Sequence, residues 1–152
     1  MQMSLNDLFN ELEWNYLEKA KLVKRINRMK RSNISYNESQ RLDDPVYSIK
    51  WAKNHLAQCE LQYHTKLNLF QCQSDKNIAK DSAKRITCIK GPDFDMFAKL
   101  IMKISQARQH YKYVLIAYRS YKARLKLVNE KINYLKNVIH HYEKNYENEL
   151  VN

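Results

Sequence analysis

The side chains of this sequence best suited to hold a metal or move a proton are its three cysteines and five histidines. Their spacing decides whether they do so. His55 and Cys59 stand four apart in a helical pattern and would share a face, with His64 following, and an imidazole beside a thiol is how a zinc site begins. Cys72, however, lies ~220° around a straight helix from Cys59 and so points away from that pair. Structural zinc draws its four ligands from close pairs such as Cys-x2-Cys, and the chain has none. Cys59 therefore reads as a small buried hydrophobe and His55 as a boundary residue. His140 and His141, beside Tyr142 and Glu143, offer acid–base groups, but neighbouring residues on a helix point ~100° apart and do not converge on one reacting atom. No catalytic residue, metal ligand or cofactor contact is assigned.

Composition bears on the same question. The chain has 152 residues with a single Gly and two Pro. One glycine leaves almost nothing for tight hairpins, for loops that cradle phosphate, or for a dinucleotide fingerprint. Sheet-rich folds and nucleotide enzymes are disfavoured, and an elongated helical protein has few concave sites that exclude water. With 27 Lys and Arg against 16 Asp and Glu the formal charge is +11, which points to binding rather than catalysis. The odd, well-separated cysteines Cys59, Cys72 and Cys88 suit a reducing compartment. Neither an apolar run of ~18 residues nor a secretory leader is found. A cytoplasmic protein without a membrane span is expected.

One helical domain over 1–152 accounts for the pattern. The first helix is expected over 3–31, with Leu5, Phe9, Leu12, Tyr16, Val23 and Ile26 on steps of four and three and Ser4 as its cap. Residues 32–43 are rich in Ser and Asn, lose the period, and read as a loop. Asp44 followed by Pro45 would start a second helix over 44–73, because proline lacks the N–H orphaned at that position. Its apolar face carries Ile49, Ala52, Leu56, Cys59, Tyr63 and Phe70. A loop is expected over 74–92.

The third helix, 93–148, carries the strongest signal. From Phe97 onward, Leu100, Ile104, Ala107, Tyr111, Val114, Tyr118, Tyr121, Leu125, Val128, Ile132, Leu135, Ile139, Tyr142 and Tyr146 follow in alternating threes and fours. A 3.5-residue repeat sustained this long needs partner helices, since an ideal helix drifts ~20° per heptad against it. At 1.5 Å per residue such a helix extends about 80 Å. The expected class is all-α. Either the first two helices lie along the third as the second arm of an antiparallel hairpin, or all three form a coiled-coil bundle from which the third projects. A projecting seam would be covered by another protein or a second copy of the chain. The tyrosines on the seam read as packing residues whose wide rings give a looser, adaptable interface.

Between Phe97 and Tyr142 lie ten Lys or Arg and the single acid Glu130. Five of them, Arg108, Lys112, Arg119, Lys122 and Lys126, fall within about 80° on a helical projection, beside the seam. Solvated flanks usually mix signs, so a one-sign stripe suggests an anionic partner, either an acidic protein surface or nucleic acid. Tyr113 lies outside seam and stripe, where it would be available to stack. The seven cations between Lys19 and Arg31 form a second cluster, part of which the helix C-terminus explains.

The stretch FAKLIMKISQARQHYKYVLIAYRSYKARLKLVNEKINYL, after a helical N-terminal half, resembles the central-stalk family of flagellar and type III secretion apparatuses (FliJ, YscO and InvI-like proteins) over about 40 residues. That resemblance implies a small basic cytoplasmic hairpin that engages an export ATPase ring, export gate and chaperones. The breaks at 32–43 and 74–92 depart from the family's nearly continuous first helix, and no residue role is carried over. The stretch WAKNHLAQ, then DFDMF and a basic helical C-terminus, resembles the PriC family of primosomal proteins, which implies single-stranded DNA binding and helicase loading. This chain lacks that family's phenylalanine-rich early motif. The sequence thus favours a non-enzymatic helical adaptor that docks on an acidic protein surface, with a nucleic-acid accessory factor as the alternative.

Overall fold

The structure, a computed structural model, describes residues 3–71 and 92–151, and every regular element among them is a helix. In chain order these are α1 (Leu5–Arg31), α2 (Tyr36–Ser39), α3 (Ile49–Gln71) and α4 (Pro92–Val151). The class is all-α, with the long C-terminal helix in one piece. The loop expected over 74–92 lies outside the described residues except for Pro92, which opens α4.

Ser4 and Asp7 cap α1 reciprocally. The Asp7 N–H donates to Ser4 Oγ (3.2 Å) and the Ser4 N–H to Asp7 Oδ2 (3.3 Å), satisfying two donors that a bare helix start would orphan. A second cap lies inside the stretch expected to be a loop: the Glu38 N–H donates to Ser35 Oγ (3.2 Å), and one helical turn, α2, follows. A single turn is too short to carry a period, which is why the pattern there reads as irregular.

The start of α3 differs from expectation as well. Residues 45–48 are not helical, and the cap is Ser48 rather than Asp44, its Oγ accepting from the Trp51 N–H (3.1 Å) while its hydroxyl donates to the Ser32 carbonyl. Buried Ser39 donates to the Val46 carbonyl and accepts from the Val46 N–H, both at 2.6 Å. These bonds hold Val46 and Ser48 in the interior, and the chain must stay non-helical through Pro45 to place them there.

The chain divides into two compact units, Met1–Lys30 with Ile116–Asn152, and Arg31–Leu115. In the first, α1 runs antiparallel to the later part of α4. Leu8 packs with Leu135 and Ile139, Glu11 Oε2 meets Lys131 Nζ at 3.5 Å, and Glu18 Oε1 meets Arg124 at 3.2 Å. The buried face of α1 is Leu8, Asn15, Leu22, Ile26 and Met29. This corrects the expected face, of which Leu5, Phe9, Tyr16 and Val23 are exposed. The true line, 8-12-15-19-22-26-29, alternates fours and threes as the α4 seam does. Asn15 and Lys19 interrupt it and disguise it.

In the second unit α3 runs antiparallel to the first part of α4. Leu67 packs on Phe97, and Cys59 on Ile104 and Ala107, with Tyr63 edge-on to Phe97 at 6.1 Å. Fully burying a side chain such as Leu67 contributes about 1.5–3 kcal/mol, the main return for ordering this pair. Ala52 and Cys59 are buried and Leu56 and Tyr63 half-buried; Leu67, absent from the expected face, is buried too.

Along α4 the seam positions are the shielded ones. Phe97, Ile104, Ala107, Val114, Ile132, Leu135 and Ile139 are buried. Leu100, Tyr111, Tyr118, Tyr121, Leu125 and Val128 are half-buried. The shielding stops there, with Tyr142 38% and Tyr146 64% exposed.

Candidate partner interface

Arg108, Lys112, Arg119, Lys122 and Lys126 all project from α4 and are exposed, but they divide between the units. In the second unit Arg108 meets Glu60 of α3 at 3.4 Å, which neutralises part of its charge. Arg119, Lys122 and Lys126 belong to the first unit, where the antiparallel pairing brings the cations of α1 alongside them. Residues 18–30 and 116–126 together hold ten Lys or Arg and one acid, Glu18, which is paired with Arg124. Cations far apart in sequence come together on one flank of this pairing: Lys30 and Lys122 at the Tyr118 ring, and Lys136 against Tyr16.

Several of these cations are held by rings. Lys30 Nζ of α1 and Lys122 Nζ of α4 lie 5.6 and 5.4 Å from the centroid of the same ring, Tyr118. Arg25 sits 5.6 Å from the Tyr121 centroid, and Lys136 Nζ 5.5 Å from that of Tyr16. Such contacts contribute about 0.5–1 kcal/mol each at exposed sites and restrict the side chains without cancelling their charge. Two of the seam tyrosines, Tyr118 and Tyr121, therefore position cations as well as pack. Tyr113, expected to be available for stacking, lies edge-on to Tyr47 at 5.6 Å.

An apolar stripe adjoins the basic face. Leu5, Phe9, Tyr16 and Val23 line one exposed flank of α1, and Phe9, Leu12, Glu13, Tyr16 and Leu17 border a shallow cleft of about 450 Å³. The Lys136–Tyr16 and Lys30–Tyr118 contacts fix this flank on the side of α4 that carries Lys122 and Lys136. Toward α4 the apolar side chains of this flank are bordered by Lys30, Lys122 and Lys136, and Glu13 borders the cleft as well. The sequence contained the signal, since it places both clusters on helices; the link missing was the α1 register that pairs them.

Of the residues first considered for chemistry, the structure describes His55, Cys59, His64, His140 and His141. His55 Nε2 lies 3.8 Å from Cys59 Sγ, but the imidazole is stacked on Trp51 with centroids 4.6 Å apart, and Cys59 is a free, buried thiol. No group of three or more His, Cys, Asp or Glu able to hold a metal occurs among the described residues. Cys72 and Cys88 lie outside them. His140 and His141 are exposed. No helix among the described residues is long and apolar enough to cross a membrane.

Searches of protein-family models, curated proteins and solved structures found nothing that matches this chain.

Proposed function

We propose that the chain is a non-enzymatic helical adaptor, acting in the cytoplasm, that docks the α1–α4 face of its first unit on an acidic helical protein surface. The observation that carries this reading is the convergence of cations from both helices beside the exposed Leu5–Phe9–Tyr16–Val23 stripe. An acidic amphipathic helix would bury its apolar side on that stripe and present carboxylates to Lys30, Lys122 and Lys136. A phosphate backbone would use the cations and leave the stripe wet, which favours protein over nucleic acid. A second copy of the chain would bring the same sign of charge to the same face and be repelled. The resemblance to central-stalk proteins points the same way and names a type III secretion apparatus as the assembly.

The test compares the tagged chain with a Lys30→Glu, Lys122→Glu, Lys136→Glu variant of matched helicity. Low-salt isolation should recover an acidic partner with the parent chain and lose it with the variant. Equal recovery by both would place docking elsewhere and refute the reading. A gel shift with single- and double-stranded DNA at 50 and 200 mM salt, roughly the range over which phosphate contacts weaken steeply, decides the alternative. Retardation with a log–log slope near −0.7 to −0.9 per contact would replace the protein partner by nucleic acid.

A further inference from the structure

The second unit contains a cavity unrelated to the basic face. It measures about 820 Å³, within the roughly 300–1,000 Å³ of small-ligand sites, and lies where α2, the segment before α3, α3 and α4 meet. Its walls carry six ring side chains: Tyr36, Tyr47, Trp51, His55, His110 and Tyr113. Their contacts fall into a group of four and a pair. Tyr36 meets His110 edge-on at 4.7 Å, Trp51 meets His110 at 5.8 Å and stacks on His55, and Tyr47 meets Tyr113 at 5.6 Å. Tyr36 and Tyr113 are nonetheless 43% and 55% exposed, so much of their ring surface faces water rather than core.

The polar lining is equally specific. Asn37, Gln58, Gln62, Gln106 and Gln109 supply five carboxamides, each with donors and an acceptor, and among the described lining residues Lys103 is the one lysine or arginine. Among the described residues no carboxylate lines the cavity, which disfavours a cationic ligand even though rings surround it. Burial, with His55 acting in the same direction, holds the His110 imidazole below its ordinary pKa, so it too enters as a neutral hydrogen-bonding ring. Flat faces for stacking, amides that match mixed donor and acceptor edges, and one cation together define a ligand class.

We propose that this cavity binds a nucleobase-type nitrogen heterocycle, with the rings packing on its faces, the carboxamides bonding its edge, and Lys103 meeting an attached anionic group. The base is supplied either by a free nucleoside or nucleotide or by a single strand, and the experiment separates the two sources.

Trp14 and Trp51 are the chain's two tryptophans, so Trp14→Phe leaves Trp51, in the cavity wall, as the sole indole reporter. Its fluorescence is titrated with adenosine, guanosine, cytidine and uridine, with their monophosphates, and with a short single-stranded oligonucleotide. Saturable quenching tighter than about 1 mM by at least one nucleoside or monophosphate is expected, and identifies the free source. Quenching by the oligonucleotide alone supports the same chemistry and assigns the source to a strand. Gln58→Ala and Gln106→Ala, both at exposed helical positions that should leave helicity unchanged, should each weaken binding about two- to tenfold, the loss of one hydrogen bond. Absence of saturable quenching by every probe, or glutamine variants that bind like the parent, overturns the proposal.

Discussion

Asn15 provides a sharp test of the α1 register. It is 1% exposed, on the line of Leu8, Leu22, Ile26 and Met29 that faces α4, and its Nδ2 donates to the Glu11 carbonyl at 2.7 Å. That bond is internal to α1 and contributes nothing directly to helix pairing. Leucine has the same branching as asparagine and a similar outline, so Asn15→Leu replaces a desolvated amide by apolar surface with little overpacking. Burying a leucine contributes about 1.5–3 kcal/mol, and relieving an amide of its burial adds to this, while a misfit of one methyl group subtracts about 1 kcal/mol. A net stabilisation of about 2 kcal/mol is expected, or roughly 4–8 °C in Tm for a chain of this size. Urea denaturation followed by helical circular dichroism measures it as a higher midpoint at unchanged slope. A midpoint lowered by the equivalent of about 1 kcal/mol or more would refute the reasoning, because it would mean that the amide is needed for pairing or that Asn15 does not face α4.

Other expectations follow from the same geometry. Leu135→Ala removes a side chain packed with Leu8 and Ile139 and should cost about 2–5 kcal/mol, whereas Tyr146→Ala, on the exposed end of the seam, should change stability by about 0.5 kcal/mol or less; both are read from urea midpoints. Ser48→Ala removes the α3 cap and the tie to the Ser32 carbonyl and should cost about 1–2 kcal/mol, seen as faster amide exchange at the start of α3. His110 has its pKa depressed by burial and by His55; Tyr36, Trp51 and Lys103 also border its cavity. Below the ordinary histidine value the unfolded chain takes up a proton that the folded chain resists. Stability should therefore be full above about pH 6.5 and fall as pH drops toward the folded pKa, a loss that His110→Asn should reduce in thermal melts from pH 7.5 to 5.

The seam of α4 was legible because one rule, alternating steps of three and four, governs it from Phe97 to Ile139 without a polar exception. The α1 face was not, because two of its positions are Asn15 and Lys19, and a reading weighted toward large rings settled on Phe9 and Tyr16 one position away. The start of α3 was misread for a different reason. Asp44–Pro45 is a sound local start signal, but the tertiary bonds of Ser39 and Ser48 override it, and no local pattern announces partners seven and sixteen residues apart. The cavity was invisible in the same way: its rings come from α2, the segment before α3, α3 and α4, with no spacing in common. The basic stripe was legible as a stripe on α4, while its enlargement by Lys30 depended on the pairing.

The basic face also has an energetic consequence. Lys30 and Lys122, close enough to share the Tyr118 ring, repel one another at a separation where screening is least effective. The arrangement therefore weakens the first unit, and the cation–π contacts offset only part of the loss. Selection for stability alone would interleave carboxylates along these helices, as Glu11 and Glu18 do nearer the start of α1. A ligand that supplies the missing negative charge binds the folded pair and not the separated helices, so binding and folding of this unit are linked. At a concentration 100 times its Kd it would add about 2.7 kcal/mol to stability. The same linkage makes salt a partial substitute: raising ionic strength should stabilise the isolated chain at the concentrations that would release an acidic partner bound as proposed. Opposite responses of folding and docking to one variable are the signature of a surface whose charge serves recognition.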